Sequence, residues 1–189
     1  MMCIYYVDTS VLVSYVFASD PGHDASRRIL EDISIRQKQK LYASSFTLVE
    51  TCNTICRKII KERKLSLIDP LQMYVSIHKD IEDKYQFLLS LIINFLIERL
   101  NIKFVDEEAF YNFTPIDLSG LRIPKIFKKS IELSYKLSLR IKDLLHLVYA
   151  FLLSKTYGIK YFLTRDIEDF ARIRNIVKQL LQMEVILIK

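Results

Sequence analysis

The sequence is poor in the residues that interrupt regular structure. Its 189 residues include only 3 Gly and 4 Pro, whereas 51% are hydrophobic and 26% are charged. Long disordered or linker stretches need low hydrophobicity or many glycines and prolines, so this composition argues against them. We therefore predict a single globular, mostly helical domain over residues 1–189.

Cysteine and histidine are also scarce, which limits the kinds of metal site. Cys3, Cys52 and Cys56 lie in apolar surroundings, and an odd number of such residues is typical of reduced, buried thiols in the cytosol. A structural zinc site needs more Cys or His at ligand spacing than these residues and three scattered histidines offer. We do not predict a zinc site.

The chain has no hydrophobic run long enough to cross a membrane. The most apolar run, 87–96, is about half the necessary length and ends in Glu98 and Arg99. The apolar start has no basic leader and is interrupted by Asp8, which is unlike a secretory signal. We therefore expect a cytoplasmic protein without a membrane span.

Positive charge is in excess. The net charge of +6 and the pI of about 9.1 suit a partner rich in phosphate, although charge alone is weak evidence. Three basic clusters supply candidate RNA contacts, and the alternative for each is a solvated helix face. The candidates are Arg57, Lys58, Lys125, Lys128, Arg140 and Lys142.

The hydrophobic pattern predicts an α/β fold. Short apolar runs at 3–7, 41–43, 102–105, 159–163 and 185–188 indicate strands, and segments with helical periodicity separate them. Strands that alternate with helices predict a parallel sheet of about five strands, flanked by helices and joined by right-handed crossovers. Residues 106–124 have no clear pattern.

Acidic residues stand where such a fold places its sites. Asp8 and Asp166 directly follow predicted strands, and Glu50 lies early in the helix after the second strand. Asp143 lies near the start of the helix before the fourth strand, which is predicted to run from about Ser138 to Tyr157. Ligands of open α/β sheets bind at the carboxyl ends of the strands. We therefore expect these four carboxylates to converge.

Such a cluster requires cations. Two carboxylates about 4 Å apart repel by roughly 4 kcal/mol at an effective dielectric constant near 20, so four must take up protons or bind metal. Oxygen ligands favour Mg²⁺ or Mn²⁺, ions that activate water and stabilise the leaving oxygen in phosphodiester hydrolysis. The predicted reaction is hydrolysis of a phosphodiester bond.

Each polar residue also has a purely structural interpretation. Asp8 could form an Asx turn or a helix cap, and Asp166 a helix cap. Glu50 could close a capping box with Thr47, and Asp143 could complement a helix dipole. His146, on an apolar helix, is interpreted as a packed core residue and not as a general base.

Three segments carry a family resemblance. YYVDTSVLVSYV, ASSFTLVET and IKDLLHLVYAFLLSKTYGIKYFLTRDIEDF resemble, in order, the successive motifs of the PIN-domain family. The resemblance implies that Asp8, Glu50, Asp143 and Asp166 are the catalytic, metal-binding residues. It also implies auxiliary roles for Ser10, Thr164 and Asp169, although Asp169 stands one residue later than the family pattern. The extra length is predicted to be a helical insertion over 66–100.

Many PIN proteins of this appearance are VapC-type toxins, which pair with a small antitoxin and form homodimers. The resemblance therefore implies a metal-dependent endoribonuclease that acts on RNA as such a toxin. An RNA-processing nuclease outside a toxin–antitoxin pair, or a non-catalytic RNA-binding module, remains an alternative. A phosphoacceptor receiver domain is disfavoured because Asp8 has no second acid beside it.

Overall fold

The protein contains seven short strands and seven longer helices within the described part of the chain. The computed structural model describes residues 3–59, 66–69, 71–73, 81–105, 108–116 and 120–189, with only the backbone described at 81–86. The strands are β1 (Ile4–Val7), β2 (Lys40–Ala43), β3 (Ile102–Phe104), β4 (Phe113–Pro115), β5 (Arg122–Pro124), β6 (Tyr161–Thr164) and β7 (Glu184–Leu187). The helices are α1 (Thr9–Val16), α2 (His23–Glu31), α3 (Ser45–Arg57), α4 (Ile81–Leu100), α5 (Lys125–Leu137), α6 (Ile141–Tyr157) and α7 (Ile167–Leu181).

Five of the strands form one parallel sheet. Their order is β3-β2-β1-β6-β7, and every neighbouring pair is parallel. The predicted fold, a five-stranded parallel sheet flanked by helices, is confirmed. A receiver domain would place its second strand at the edge, in the order 2-1-3-4-5. The sheet therefore also excludes that alternative.

Hydrophobic cores cover both faces of the sheet. Side chains of a strand alternate between its faces, so Val7 packs into the core that contains Leu12 and Ile92, while Tyr6 packs with Phe162 into the other. Strands buried on both faces are typical of parallel sheets. Each fully buried side chain of this size contributes roughly 1.5–3 kcal/mol. The cores thus fix β1 and β6 side by side.

Residues in the left-handed region mark two helix ends that bear on the site. Ser138, with φ 50°, ends α5, and Gly158, with φ 71°, ends α6. The helix predicted to start at Ser138 therefore starts three residues later, at Ile141. Because the chain turns between these helices, Arg140 and Asp143 are brought to the rim of the sheet.

The region 106–124, which has no clear sequence pattern, contains a small hairpin. β4 pairs with β5 in antiparallel register, and a short 3₁₀ turn, Glu108–Phe110, precedes them. The insertion predicted over 66–100 lies partly outside the described residues, since 70 and 74–80 are not described. Its described remainder includes the long helix α4.

The three cysteines are half-buried and unpaired. Burial raises the pKa of the Cys52 and Cys56 thiols, which keeps them protonated. The prediction of unpaired cysteines agrees with the structure, but the prediction of full burial is wrong. None of the helices in the described part of the chain combines the length and apolar character that crossing a bilayer requires.

Candidate metal centre

Asp8 stands at the carboxyl end of β1 and is nearly buried, with 5% of its surface exposed. Its Oδ2 accepts hydrogen bonds from Ser10 Oγ at 2.7 Å and from Thr164 Oγ1 at 2.8 Å. It occupies the N-cap position of α1, but its side chain accepts no capping hydrogen bond from the helix. The simple capping interpretation of Asp8 is therefore wrong. Two hydroxyls orient one carboxylate oxygen, and Oδ1 faces His146.

Glu50 lies in the second turn of α3, beside Asp8. The N-cap of α3 is Ser44, whose Oγ accepts from the Thr47 amide, so the capping box between Thr47 and Glu50 does not form. Ser44 can cap the helix because its backbone is extended, as that of an N-cap residue must be, with φ −85° and ψ 166°. The Glu50 carboxylate is left for the site. There it accepts from His146 Nε2 at 2.6 Å and from Lys142 Nζ at 2.8 Å.

The sequence analysis missed a site residue, His146. It is indeed buried, with 1% exposed, but its Nε2 also lies 3.3 Å from Asp8 Oδ1. One ligand atom from each of Asp8, Glu50 and His146 lies within 4.8 Å of the others, a set we name the inner triad. In the sequence, His146 stands three residues after Asp143 and so lies on the same face of α6. This spacing is the signal that indicates a place in the site for His146.

Three further carboxylates meet at the ends of α6 and α7. Oxygen atoms of Asp143, Asp166 and Asp169 also lie within 4.8 Å of one another, and we name them the outer triad. Asp166 does cap α7, because its Oδ1 accepts from the Asp169 amide at 3.0 Å. Its Oδ2 faces Arg140 instead. A capping role and a place in the site are thus compatible.

Two basic side chains reach into the acidic site. Arg140 Nε lies 3.0 Å from Asp143 Oδ2 and 2.8 Å from Asp169 Oδ2, and its Nη2 contacts Asp166. Lys142 pairs with Glu50. Both were predicted as RNA contacts, and in this structure they partly neutralise the acids.

The pKa of Glu50, in the inner triad, is lowered, whereas the pKa of Asp143, in the outer triad, is raised. Burial alone would raise the pKa of Glu50, but hydrogen bonds from His146 and Lys142 outweigh it and lower the pKa to about 2. Burial raises the pKa of Asp143; the Arg140 guanidinium opposes this, and the charges of Asp166 and Asp8 reinforce it. Since the charge of Asp8 raises the pKa of Asp143, the two triads interact electrostatically.

The pKa of His146 is raised by its acidic neighbours. Burial alone would lower its pKa, but the charge of Asp8 and the hydrogen bond and charge of Glu50 outweigh it and hold the pKa above its ordinary value. On the other side of the ring, Nδ1 lies 3.3 Å from Thr47 Oγ1 and 3.4 Å from Tyr6 Oη. The imidazole is held between hydroxyls and carboxylates.

A polar network next to the triads connects α1 and the turn after it with the loop between β6 and α7. Arg165 Nη1 pairs with Asp20 at 2.6 Å, and the Arg165 amide donates to Ser10 Oγ at 3.1 Å. Gly22 makes room for this arginine, since a Cβ there would lie 2.0 Å from Cζ of Arg165. The network fixes Ser10, and through Ser10 it supports Asp8.

The other predicted RNA contacts lie outside the two triads. Arg57 and Lys58 end α3, where Lys58 Nζ stands 5.4 Å from the centre of the Phe17 ring. Lys125 and Lys128 lie in the first turn of α5, and Lys128 Nζ donates to the Pro115 carbonyl at 3.0 Å. Their role in RNA binding stays a prediction.

A separate cleft of about 300 Å³ lies beside α1, α2 and α4. Tyr15, Glu31 and Arg99 are among its lining residues, and burial together with Glu31 raises the pKa of Tyr15 to about 12. The cleft contains none of the acids of either triad.

Comparison with known proteins agrees with this geometry. The family model of the PIN domain matches residues 5–176, which include every acid of both triads. The chain belongs to the PIN domain family. No curated relative matches the chain with significance.

One solved structure shares the fold at low sequence identity. The crystal structure of VapBC2 from Rickettsia felis, bound to a DNA fragment from their promoter, contains a chain with a TM-score of 0.54 and 16% identity. That match covers 98% of this chain and 99% of the other. VapC20 of Mycobacterium tuberculosis, a sarcin-ricin loop cleaving toxin, matches at a TM-score of 0.47 and 10% identity, over 89% of this chain and 94% of that one.

Proposed function

We propose that the chain is a divalent-metal-dependent ribonuclease whose site is formed by the two triads. One observation carries the proposal. In a PIN domain, five carboxylates from four segments of the chain converge near the carboxyl ends of β1 and β6, where they would offer oxygen ligands to an ion.

The donor set fits Mg²⁺ or Mn²⁺. Asp8, Glu50, Asp143 and Asp166 offer hard oxygen ligands, and no cysteine belongs to either triad. Ser10 and Thr164 orient Asp8 through one oxygen, which leaves the other for the ion. A bound divalent ion supplies positive charge to a phosphodiester and lowers the pKa of the attacking water. The carboxylates of this chain bind and orient that ion.

The basic residues contribute to this function in two ways. Arg140 and Lys142 neutralise the acids when no ion is bound, and their exposed stems allow them to turn toward phosphate when an ion takes their place. The net charge of +6, which is that of the whole chain, favours a polyanionic partner, and the resemblance to VapC-type toxins makes RNA the partner we propose. The substrate proposed is therefore RNA.

The biological role we propose is that of the toxin in a pair with a small antitoxin, in the cytoplasm and as a homodimer. The order and spacing of the Asp8, Glu50, Asp143 and Asp166 motifs, which resemble VapC-type toxins, support this role. Expression of the unaltered chain should arrest bacterial growth, whereas the Asp143→Asn variant should not. Equal growth arrest by both would separate the toxicity from the nuclease site.

Cleavage of RNA in vitro tests the enzymatic part. With Mg²⁺ or Mn²⁺ the protein should cleave RNA, and EDTA should stop the cleavage. Asp143→Asn should lose at least about 100-fold in activity, which is more than the loss of a group that only holds a metal ligand in place. Asp24→Asn, an exposed acid of α2, is the matched control. Cleavage that persists in Asp143→Asn would overturn the site assignment.

A non-catalytic RNA-binding module is the second candidate. The observation that favours it is that Arg140 already bridges all three acids of the outer triad, as a metal ion would. Such a module would bind RNA with the same affinity in EDTA and in Mn²⁺, and it would cleave no RNA with any divalent ion.

A further inference from the structure

His146 stands in the site as a ligand would. Its Nε2 lies 2.6 Å from Glu50 Oε2 and 3.3 Å from Asp8 Oδ1, and 1% of the residue is exposed. We propose that His146 Nε2 is a direct ligand of the divalent ion, together with Asp8 and Glu50, so that the inner triad is a mixed nitrogen–oxygen site selective for transition-metal ions over Mg²⁺. The inference rests on the proposed function, since it needs an ion at this site.

The spacing of the donor atoms is near that of a coordination sphere. Ligands about 2.1 Å from an ion and at right angles to each other lie about 3 Å apart. The two distances from Nε2 lie on either side of this value, and all three donor atoms lie within 4.8 Å of one another. The two distances from Nε2 are thus close to the separation of neighbouring ligands around one ion.

The far side of the ring is arranged as it is in metal-bound histidines. Such residues donate the N–H of their other nitrogen to a neighbouring acceptor, which sets the tautomer and the ring orientation. Here Nδ1 faces the hydroxyls of Thr47 and Tyr6, at 3.3 and 3.4 Å. These hydroxyls are fixed in turn, because Tyr6 Oη bonds Ser44 Oγ at 2.7 Å and Thr47 Oγ1 at 2.8 Å.

Packing holds the ring in this orientation. The Phe46 ring lies against His146 with its centre 4.8 Å away, and Tyr6 contacts the edge of the imidazole. Nε2 therefore has one direction to face, toward Asp8 and Glu50. On binding, the ion takes the position of the Nε2 proton, which leaves to solvent.

A nitrogen ligand changes which ion the site prefers. Mg²⁺ binds almost entirely through oxygen, whereas imidazole suits the first-row transition metals. The outer triad contains oxygen donors alone and carries no such preference. A preference for transition-metal ions over Mg²⁺ would therefore come from His146, since the oxygen ligands suit Mn²⁺ and Mg²⁺ alike.

Electron paramagnetic resonance of Mn²⁺ bound to tag-free protein tests the proposal. The electron spin echo of Mn²⁺ in the unaltered protein should show the modulation of a directly bound imidazole ¹⁴N nucleus. His146→Gln should remove this modulation, while the controls His23→Gln and His78→Gln should keep it. Calorimetry should show Mn²⁺ affinity falling by about tenfold or more in His146→Gln, with Mg²⁺ affinity changing much less.

The outcomes separate the two proposals. Bound Mn²⁺ that is lost in Asp8→Asn but shows no ¹⁴N modulation in the unaltered protein would overturn the role of His146 and leave the metal site standing. Absence of bound Mn²⁺ in the unaltered protein would overturn both. The measurement on the unaltered protein does not depend on whether any variant folds.

Discussion

The inner and outer triads use similar carboxylates but are neutralised differently. In the inner triad, Asp8 is held by the hydroxyls of Ser10 and Thr164, and 6% of its side chain is exposed. In the outer triad, the three acids share Arg140, whose side chain is 70% exposed. Asp8 of the inner triad is therefore oriented by buried partners, although Glu50 also pairs with the exposed Lys142, whereas Arg140 is the cation that all three acids of the outer triad share.

The largest expected difference is in catalysis. Asp8→Asn should reduce RNA cleavage by at least about 100-fold, because it removes an oriented metal ligand. Asp169→Asn should reduce it by less than about tenfold, because Asp169 lies at the solvent edge and pairs also with Arg172. Rates with saturating Mn²⁺ measure both. Equal losses in the two variants would contradict the lesser role given to Asp169.

The hydroxyls that hold Asp8 should matter for metal affinity. Ser10→Ala combined with Thr164→Val removes both hydrogen bonds to Oδ2 and should weaken Mn²⁺ binding by about 10- to 100-fold, as for other outer-shell partners. Ser134→Ala, an exposed serine on α5, serves as the control. Unchanged affinity in calorimetry would show that Asp8 needs no such support.

Arg140 should compete with ions at the outer triad. Arg140→Ala should strengthen Mn²⁺ binding by at most about fivefold, because an exposed ion pair competes only weakly. Arg172→Ala, which touches only Asp169 of the triad, should have less effect. Weaker Mn²⁺ binding in Arg140→Ala would contradict the competition.

The smallest expected effect is on stability, and its sign differs between the triads. The pKa of Glu50 is lowered from 4.5 to about 2, so its ionised form stabilises the fold above pH 4.5, and this is lost as the pH falls from there to about 2. The pKa of Asp143 is raised, so its ionised form costs stability above its folded pKa, and the cost disappears on acidification below its ordinary 3.8.

Urea unfolding in EDTA, from pH 7 down to about 3, measures this difference. At pH 7, Glu50→Gln should lose roughly 1 kcal/mol after allowance for solvent screening, and the loss should shrink on acidification. Asp143→Asn should lose less than Glu50→Gln at pH 7. An equal loss in both variants would mean that the two triads do not differ in this respect.

The parallel sheet, and the placing of acids at the ends of its strands, can be predicted from the sequence for a physical reason. Strands buried on both faces are continuous apolar runs, and Asp8 and Asp166 interrupt the pattern at their ends. The hairpin of β4 and β5 was not predicted, because three-residue strands that each end in Pro lack a strand pattern. Ser44, Ser45 and Thr47 are all capping residues, and only the backbone angles decide that Ser44 caps α3 and that Thr47 does not.

The role of His146 and the position of Arg140 depend on side-chain direction. Leu145 and Leu147 flank His146, so helical periodicity alone predicts a core residue. The imidazole is in fact buried, yet its Nε2 points to Glu50. The sequence predicts that Arg140 contacts RNA. It gives no indication that the long side chain of Arg140 folds back over Asp143 and Asp166.

The hydroxyl network of Tyr6, Ser44, Thr47 and His146 joins residues up to 140 positions apart in the sequence. Its members approach one another only after β1, α3 and α6 have taken their places, so an unfolded chain has no comparable arrangement to offer an ion. Occupancy of the site and folding are then thermodynamically linked. Each tenfold rise in free ion above the dissociation constant should add about 1.4 kcal/mol to the resistance of the whole domain to unfolding.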